Sequence, residues 1–443
     1  MPRTYIKKSR KQKIKTKSNR KTKSNRKTKS NSKTKSNSKT KSNSKTNLKQ
    51  IYNSKFTARI ILKDNTGGIV VDKDTIKEIL DSIGGKVDVV IYNNIKNNIN
   101  IKNESKSKLK FDKVDIQIFI EHINLEYPLD IFSADKSYLL INQEYLQEWD
   151  IDRMKDKSII PLCKTQCGLN TLHKLNIMNA KYVGFGNNRK FTYIDDIEKI
   201  PNLFIHIEGS SPLKGTKTLI DTWIYKKIRE TLIITGNNKS GGNTNLFKYW
   251  KSLNPYVKPL PEIVLKKWVE WKKITKSNAI LPQFQTINSC PVFFCNIELD
   301  YNIIEFLQSI ADVHMCPSLI EGWGQYIDEG RRSKSVVITL DSAPMNELIN
   351  DSTTGILVKA SNGPNMRQLL PYGWTQYFTK NNEYNKFLYG TFKTNVNELY
   401  IGVNRILKMT LEEKRKLGNN AFKQSQKDYD TFKTNFTKLI LDT

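Results

Sequence analysis

"CPSLIEGWGQYIDEG", residues 316–330, decides how the rest of the chain is read. Two glycines, Gly322 and Gly324, flank Trp323, and Glu321 and Glu329 bracket the group. The apolar run before it reads as a strand and the segment after it as a helix. Glycines there permit close backbone approach, and free N–H groups at a helix start receive negative charge. An ionised carboxylate accepts from hydroxyls, so acids on both sides of such a turn suit a polyhydroxylated ligand. A glutamate resting on a helix dipole, with a second one facing solvent, fits the spacing equally well.

The pattern around this stretch is alternating. "LFIHIEG" (203–209) and "ETLIITG" (230–236) read as strands, with "KGTKTLIDTWIYK" (214–226) a helix between them. Strand signals continue at 291–297, 311–317 and 335–341, while 241–285 is richer in Trp and Lys and less regular. Earlier in the chain, strands are expected at 57–63, 86–92, 114–123, 137–142, 158–163 and 181–186. Gly67-Gly68 reads as a tight loop, and 72–83 and 165–176 as helices; the Asn/Lys-rich stretch 93–110 reads as a surface insertion. Such alternation predicts parallel sheets covered by helices. Two α/β halves joined near 187–202 would leave a cleft at the carboxyl ends of their strands, where ligands bind. Lys214-Gly215, at a strand-to-helix junction beside two serines, suits an anion such as phosphate; lysine at a helix start is more often simply solvated.

Charge is spread unevenly over the 443 residues. The formal net charge is +30, yet 20 of the 73 Lys/Arg lie in residues 1–50, which hold none of the 43 Asp/Glu. Residues 15–44 are five copies of a hexad, KTKSNR twice and KTKSNS three times. A polar repeat with no apolar member buries nothing, so residues 1–50 are expected to be a disordered tail. Nucleic-acid contact, anionic-membrane contact, nuclear import and plain solubilisation all remain open for it. No aromatic is interleaved with its later lysines, which disfavours base stacking. Five cysteines, an odd number, fit a reducing compartment rather than a disulfide framework. Cys163, Cys167 and His173 lack a second ligand pair and read as structural, not metal-binding. The N-terminus has no secretory apolar stretch and no segment reaches membrane-spanning length, so a cytoplasmic protein is expected.

"PSLIEGWGQYIDE" (317–329), then "SVVITLDSAPMNELI" (335–349) and "STTGILV" (352–358), resembles the carboxyl-terminal domain of group 1, retaining, nucleotide-sugar-dependent glycosyltransferases of the GT-B fold. Lys214-Gly215 and "LEEKRKLGNNAFKQ" (411–424) extend the resemblance in both directions, and "DIQIFIEHI" (115–123) and "LLINQEYL" (139–146) agree more loosely. It implies two Rossmann-like domains facing across a cleft: an acceptor-side domain at 56–200, a donor-side domain at 201–425, and a C-terminal helix at 426–443 packing back on the first domain. The implied donor is a UDP-, GDP- or ADP-sugar with no further cofactor or metal, and the acceptor a glycan, protein or lipid. Glu321 would contact the donor's sugar, Glu329 the ribose, and Lys214 the departing diphosphate. Ser211 and the backbone of Gly322, Trp323 and Gly324 would hold sugar and phosphate. Thr235, Gly236, Asn296 and Ile297 would border the base, and Gly67, Gly68 and His122 would face the diphosphate and acceptor.

The sequence departs from the family in two places. The usual arginine before the lysine is replaced by Gly209-Ser210-Ser211, leaving Arg331, Arg332 or Lys217 to supply the second cation, and the usual Leu-Pro is Gln325-Tyr326. A nucleic-acid-binding or scaffold protein with an inactive GT-B core is the competing reading. A dinucleotide-dependent oxidoreductase, resting on "GFGNN" (184–188), lacks the third glycine and the acidic residue that such a site requires.

Overall fold

The computed structural model describes residues 56–63, 67–92, 111–123, 132–191, 195–209, 211–236, 244–370, 381–385 and 387–442. The lysine-rich tail and the 93–110 insertion lie outside the described residues. The rest belong to one compact unit that contains two sheets. The first is built from β1 (Phe56–Leu62), β2 (Gly85–Ile91), β3 (Val114–Glu121), β4 (Ala134–Ile141), β5 (Ile160–Cys163) and β6 (Lys181–Tyr182). Its order is β2-β1-β3-β4-β5-β6 and every pairing is parallel. The central strands are rich in β-branched and apolar residues that are mostly buried (β3 reads VDIQIFIE), as a parallel sheet covered on both faces requires.

The second sheet holds β7 (Ile200–Gly209), β8 (Leu232–Gly236), β9 (Tyr256–Val257), β10 (Gln285–Ile287), β11 (Cys290–Cys295), β12 (Ala311–Cys316), β13 (Val336–Leu340) and β14 (Ile356–Val358). Its order is β14-β13-β12-β7-β8-β11-β10-β9, parallel except for the last two edge strands. Chain order reverses at β1/β3 in the first sheet and at β7/β12 in the second, and ligands of open α/β sheets bind at such switch points. The stretch 241–285, irregular in sequence, carries two helices, Thr244–Ser252 and Glu262–Thr275. Their tryptophans, Trp250, Trp268 and Trp271, are core residues. Gly67-Gly68, read as a loop, instead opens the helix Gly67–Ser82.

The fold is that of the GT-B glycosyltransferases, two Rossmann-like lobes with a cleft between them, and one helix ties the lobes together. Leu411–Leu441 is continuous, about 46 Å long at 1.5 Å per residue, and opens with a capping box from Thr410 and Glu413. Its first half packs on the second lobe, where Lys414 pairs with Asp312 (3.3 Å). Farther along, Asp428 meets Arg331 (2.7 Å), Tyr429 donates to Glu78 of the first lobe (3.1 Å), and Phe432 packs on Phe185. The second glycine of "GFGNN" belongs to this packing: a methyl group on Gly186 would stand 2.5 Å from the backbone nitrogen of Tyr429.

Gly418 lies inside this helix, where alanine would ordinarily add about 1 kcal/mol of stability. Here an added Cβ would be 2.1 Å from the carbonyl oxygen of Lys334. Gly418→Ala is therefore expected to destabilise by about 1–3 kcal/mol, read as a lower Tm in thermal unfolding.

Candidate active site

The carboxyl ends of the two sheets enclose a cavity of about 620 Å³. On the second lobe, the loop after β7 delivers Lys214 and the loop after β12 delivers Glu321. Gly215 caps the helix Thr216–Lys226 with φ +72°, and a Cβ there would meet the Pro317 carbonyl oxygen at 2.2 Å. Only glycine allows the two loops to touch. Behind them, His206 is fully buried and its pKa falls to about 4, burial being the main cause and Lys214's charge a lesser one. The neutral ring donates from Nδ1 to the Met315 carbonyl (2.7 Å) and accepts from the Thr216 hydroxyl at Nε2 (2.9 Å), fixing the start of the helix to β12.

Lys214 Nζ stands 2.5 Å from Glu321 Oε1 and lies over the Tyr326 ring, 4.1 Å from its centroid. The Ser318 hydroxyl donates to the same Glu321 oxygen, and its backbone N–H donates to the Tyr326 oxygen (3.0 Å). With its proton spent on Glu321, Ser318 accepts from the Tyr326 O–H (2.6 Å). Glu329 follows on the helix Gln325–Arg332. It accepts from Gln308 (2.8 Å) and Gln325 (3.4 Å), and the Arg189 guanidinium is 3.8 Å away. Burial raises its pKa, with the Gln308 hydrogen bond opposing. Arg189 also stacks on Tyr301 at 3.6 Å, and both line the cavity.

The first lobe contributes a polar wall. Lys164 pairs with Asp72 and donates to Asn142 Oδ1 (2.7 Å), and Asn142 donates to Glu121 Oε1 (2.9 Å). Glu121 ends β3 with φ 72°, a conformation that costs non-glycine residues about 1–3 kcal/mol and clusters at functional sites. Glu144, in the short turn after β4, faces Gly322 across the cleft. A methyl group on Gly322 would lie 2.7 Å from either Glu144 carboxyl oxygen. Burial, joined by the charges of Glu321 and Glu121, pushes the Glu144 carboxyl up to about 8.

The structure brings Glu321, Lys214, Glu329, Ser211, Gly67, Gly68, Gly322, Trp323 and Gly324 together on the cavity wall. It does not bring His122 there. His122 turns away toward Asp150 (3.4 Å), and Glu121 takes the place on the wall. Thr235, Gly236, Asn296 and Ile297 are likewise off the wall. Gly236 and Asn296 sit behind Glu208, whose Oε2 would be 3.1 Å from a Cβ on Gly236, and the wall is made by Glu208, Glu298, Leu299 and Tyr301. Nor do the expected second cations reach the cavity. Arg331 is buried between Asp328 and Asp428, Arg332 donates to the carbonyls of Arg189 and Asn187, and Lys217 pairs with Asp221. Arg189 is the cation that does, and sequence reasoning missed it because it comes from the segment between the lobes. Asp72, Asn142, Glu144 and Lys164 were also missed, although strand ends are where such residues gather. Among the described residues no cluster of His, Cys, Asp or Glu is arranged to hold a metal, and no helix is long and apolar enough to cross a membrane.

No family model and no curated protein matches the chain. Solved structures do. The sucrose-phosphate synthase of Thermosynechococcus elongatus is similar with a TM-score of 0.52 at 11% identity, over 87% of this chain and 98% of that one. A glycosyltransferase from Rickettsia africae gives 0.50 at 14%, over 87% and 99%. At such identities the likeness establishes the fold.

Because Glu144 binds its proton more tightly folded than unfolded, its contribution to stability is lost as pH rises from about 4.5 to about 8. Glu144→Gln, which stays neutral, should therefore gain Tm over the wild type progressively across that window. Melting curves from pH 5 to pH 9 measure the difference, and a constant gap would contradict it.

Proposed function

We propose that the protein is a retaining glycosyltransferase that moves a sugar from a nucleoside-diphosphate sugar to a hydroxyl-bearing acceptor. The observation that carries this reading is the Lys214–Glu321 pair at the β7/β12 switch point, with Glu329 on the next helix, all on one cavity wall. Fold alone would not suffice, since one fold hosts many activities. The names of two solved neighbours, a sucrose-phosphate synthase and a glycosyltransferase, agree with it.

In this reading the donor's diphosphate lies against Lys214 and the first N–H groups of the helices at Thr216 and Gln325. The bond from the anomeric carbon to the phosphate oxygen breaks while negative charge builds on the diphosphate. Fixed positive groups in a water-poor cleft lower that barrier most, and they do so without requiring a metal. The acceptor oxygen bonds to the anomeric carbon from the same face, and its proton passes to the leaving phosphate oxygen. Glu321 holds Lys214 in place and accepts from the sugar's hydroxyls. Glu329 accepts from the ribose hydroxyls, and Arg189 supplies the second cation beside it.

UDP, GDP and ADP, tested singly, distinguish the donors. One of them is expected to stabilise the protein by about 2.7 kcal/mol at a hundred times its Kd, read as a thermal shift, and no shift with any of the three would refute the reading. Glu329→Ala should remain folded and lose transfer. Arg189→Ala should lower kcat/KM for the donor about tenfold to a hundredfold, as expected for one lost charged hydrogen bond.

A further inference from the structure

The β9 edge of the second sheet carries a surface that the cleft does not explain. β9 is the last strand of that sheet, and the helix Glu262–Thr275 follows it. Val264, Trp268 and Trp271 recur at helical spacing and turn one face of this helix into the core. Away from that face Ile263, Val269 and Ile274 are exposed, with Tyr256 and Val257 before the helix and Ile280 after it. These are six of the fourteen large apolar side chains exposed among the described residues, and Ile280 is 83% exposed. Exposed apolar side chains scattered singly are ordinary, whereas such a concentration marks an interaction surface.

The same stretch is basic. Residues 248–280 hold eight lysines, two acids and no arginine, a net charge of +6. Both acids are taken up within the helix, Glu262 by Lys266 (2.8 Å) and Glu270 by Lys267 (3.0 Å). Six lysines are left with no acid of the stretch to pair with. We infer that this outer face of the second lobe docks on an anionic phospholipid bilayer, its isoleucines and valines entering the interface while its lysines meet the headgroup phosphates. Helices lying in a membrane interface bind by that combination of apolar insertion and attraction to anionic lipid. The other occupants fit less well. A second copy of the chain would set lysine against lysine across a two-fold axis. A nucleic acid would satisfy the lysines but leave the apolar side chains nothing to bury against, and no arginine is present to fork a phosphate. Among the described residues no helix is long and apolar enough to cross the membrane, so the contact is with its surface. The 20 Lys/Arg of residues 1–50 supply a second attraction to the same lipid, and stable peripheral anchoring takes two such signals.

The test sediments the full chain with vesicles of phosphatidylcholine alone and of a two-to-one mixture of phosphatidylcholine and phosphatidylglycerol, at physiological ionic strength. The wild type should bind the anionic vesicles and not the neutral ones. Two double variants keep the tail intact: Val269→Asp with Ile280→Asp removes the apolar contact, and Lys273→Ala with Lys276→Ala removes charge. Each should keep the wild-type Tm, since all four side chains are exposed, and bind the anionic vesicles about tenfold or more weakly. Ile280→Trp, read as the difference from the wild type, reports on insertion directly. Its emission should shift to the blue on anionic vesicles and be quenched by brominated phosphatidylcholine placed in them. The inference is overturned if neutral vesicles bind as well, if either double variant binds like the wild type, or if the Ile280→Trp emission does not move. It is also overturned if a DNA duplex binds the wild type and loses the same affinity in both double variants, which would make this a nucleic-acid surface. None of these readouts involves the cleft, so they stand or fall apart from the transferase reading.

Discussion

The approach of Gly215 to the Pro317 carbonyl is the constraint on which the second lobe's side of the cavity depends. With 2.2 Å available to an added Cβ, no other residue fits. That contact brings the loops after two adjacent parallel strands together, so that Lys214 reaches Glu321 across 2.5 Å. His206 locks the arrangement by bridging Met315 and Thr216 while remaining neutral. A protonated ring would lose its acceptor nitrogen and place a second positive charge beside Lys214. Burial therefore serves the site twice, by rigidifying it and by reserving the positive charge for Lys214.

The residues at and around the two departures from the resembled pattern make specific contacts of their own. Tyr326, where a proline is usual, carries Lys214 on its ring and ties Ser318 to Glu321. Its neighbour Gln325 reaches both ways, donating to Glu329 and pressing against Gly68 of the first lobe, where a Cβ would lie 2.5 Å from its carbonyl oxygen. Arg189, from the segment between the lobes, is held on Tyr301 at the cavity wall. A cation placed there follows the relative position of the lobes, whereas one on β7's own loop would stay with the second lobe.

Much of the fold was legible in the sequence, because buried parallel strands announce themselves as apolar β-branched runs and the helices between them as 3.6-residue patterns. Part of the site was legible for a related reason: Gly322, Gly324, Glu321 and Glu329 lie within nine residues, so spacing carries their geometry. What escaped was set by long-range contact. Glu144, Lys164 and Asp72 come from three separate segments, and nothing local distinguishes Glu144 from a surface glutamate. His122, the strand-end histidine, lies beside Asp150, 28 residues on, a partner that spacing could not announce. The helices in 244–275 were obscured by the lysines between their tryptophans, although Trp250, Trp268 and Trp271 turn into the core, where they meet Phe294 and Phe306.

At the cleft the lobes meet through a set of polar contacts as well as apolar ones. Glu347 of the second lobe accepts from the backbone N–H groups of Gln166 and Cys167 at the start of a first-lobe helix, both at 2.7 Å. Gln143 donates to the Glu321 carbonyl (3.0 Å), and Asn187 to Asp328 (2.9 Å). When such contacts separate, water replaces each partner, so each costs only about 0.5–1.5 kcal/mol to break. Apolar attachment lies along the helix Leu411–Leu441, around Phe185, where Trp323 and Phe432 meet, and where Leu213, Met366 and Tyr389 pack with the first lobe. Separating those surfaces would expose aromatic area at about 25 cal/mol per Å².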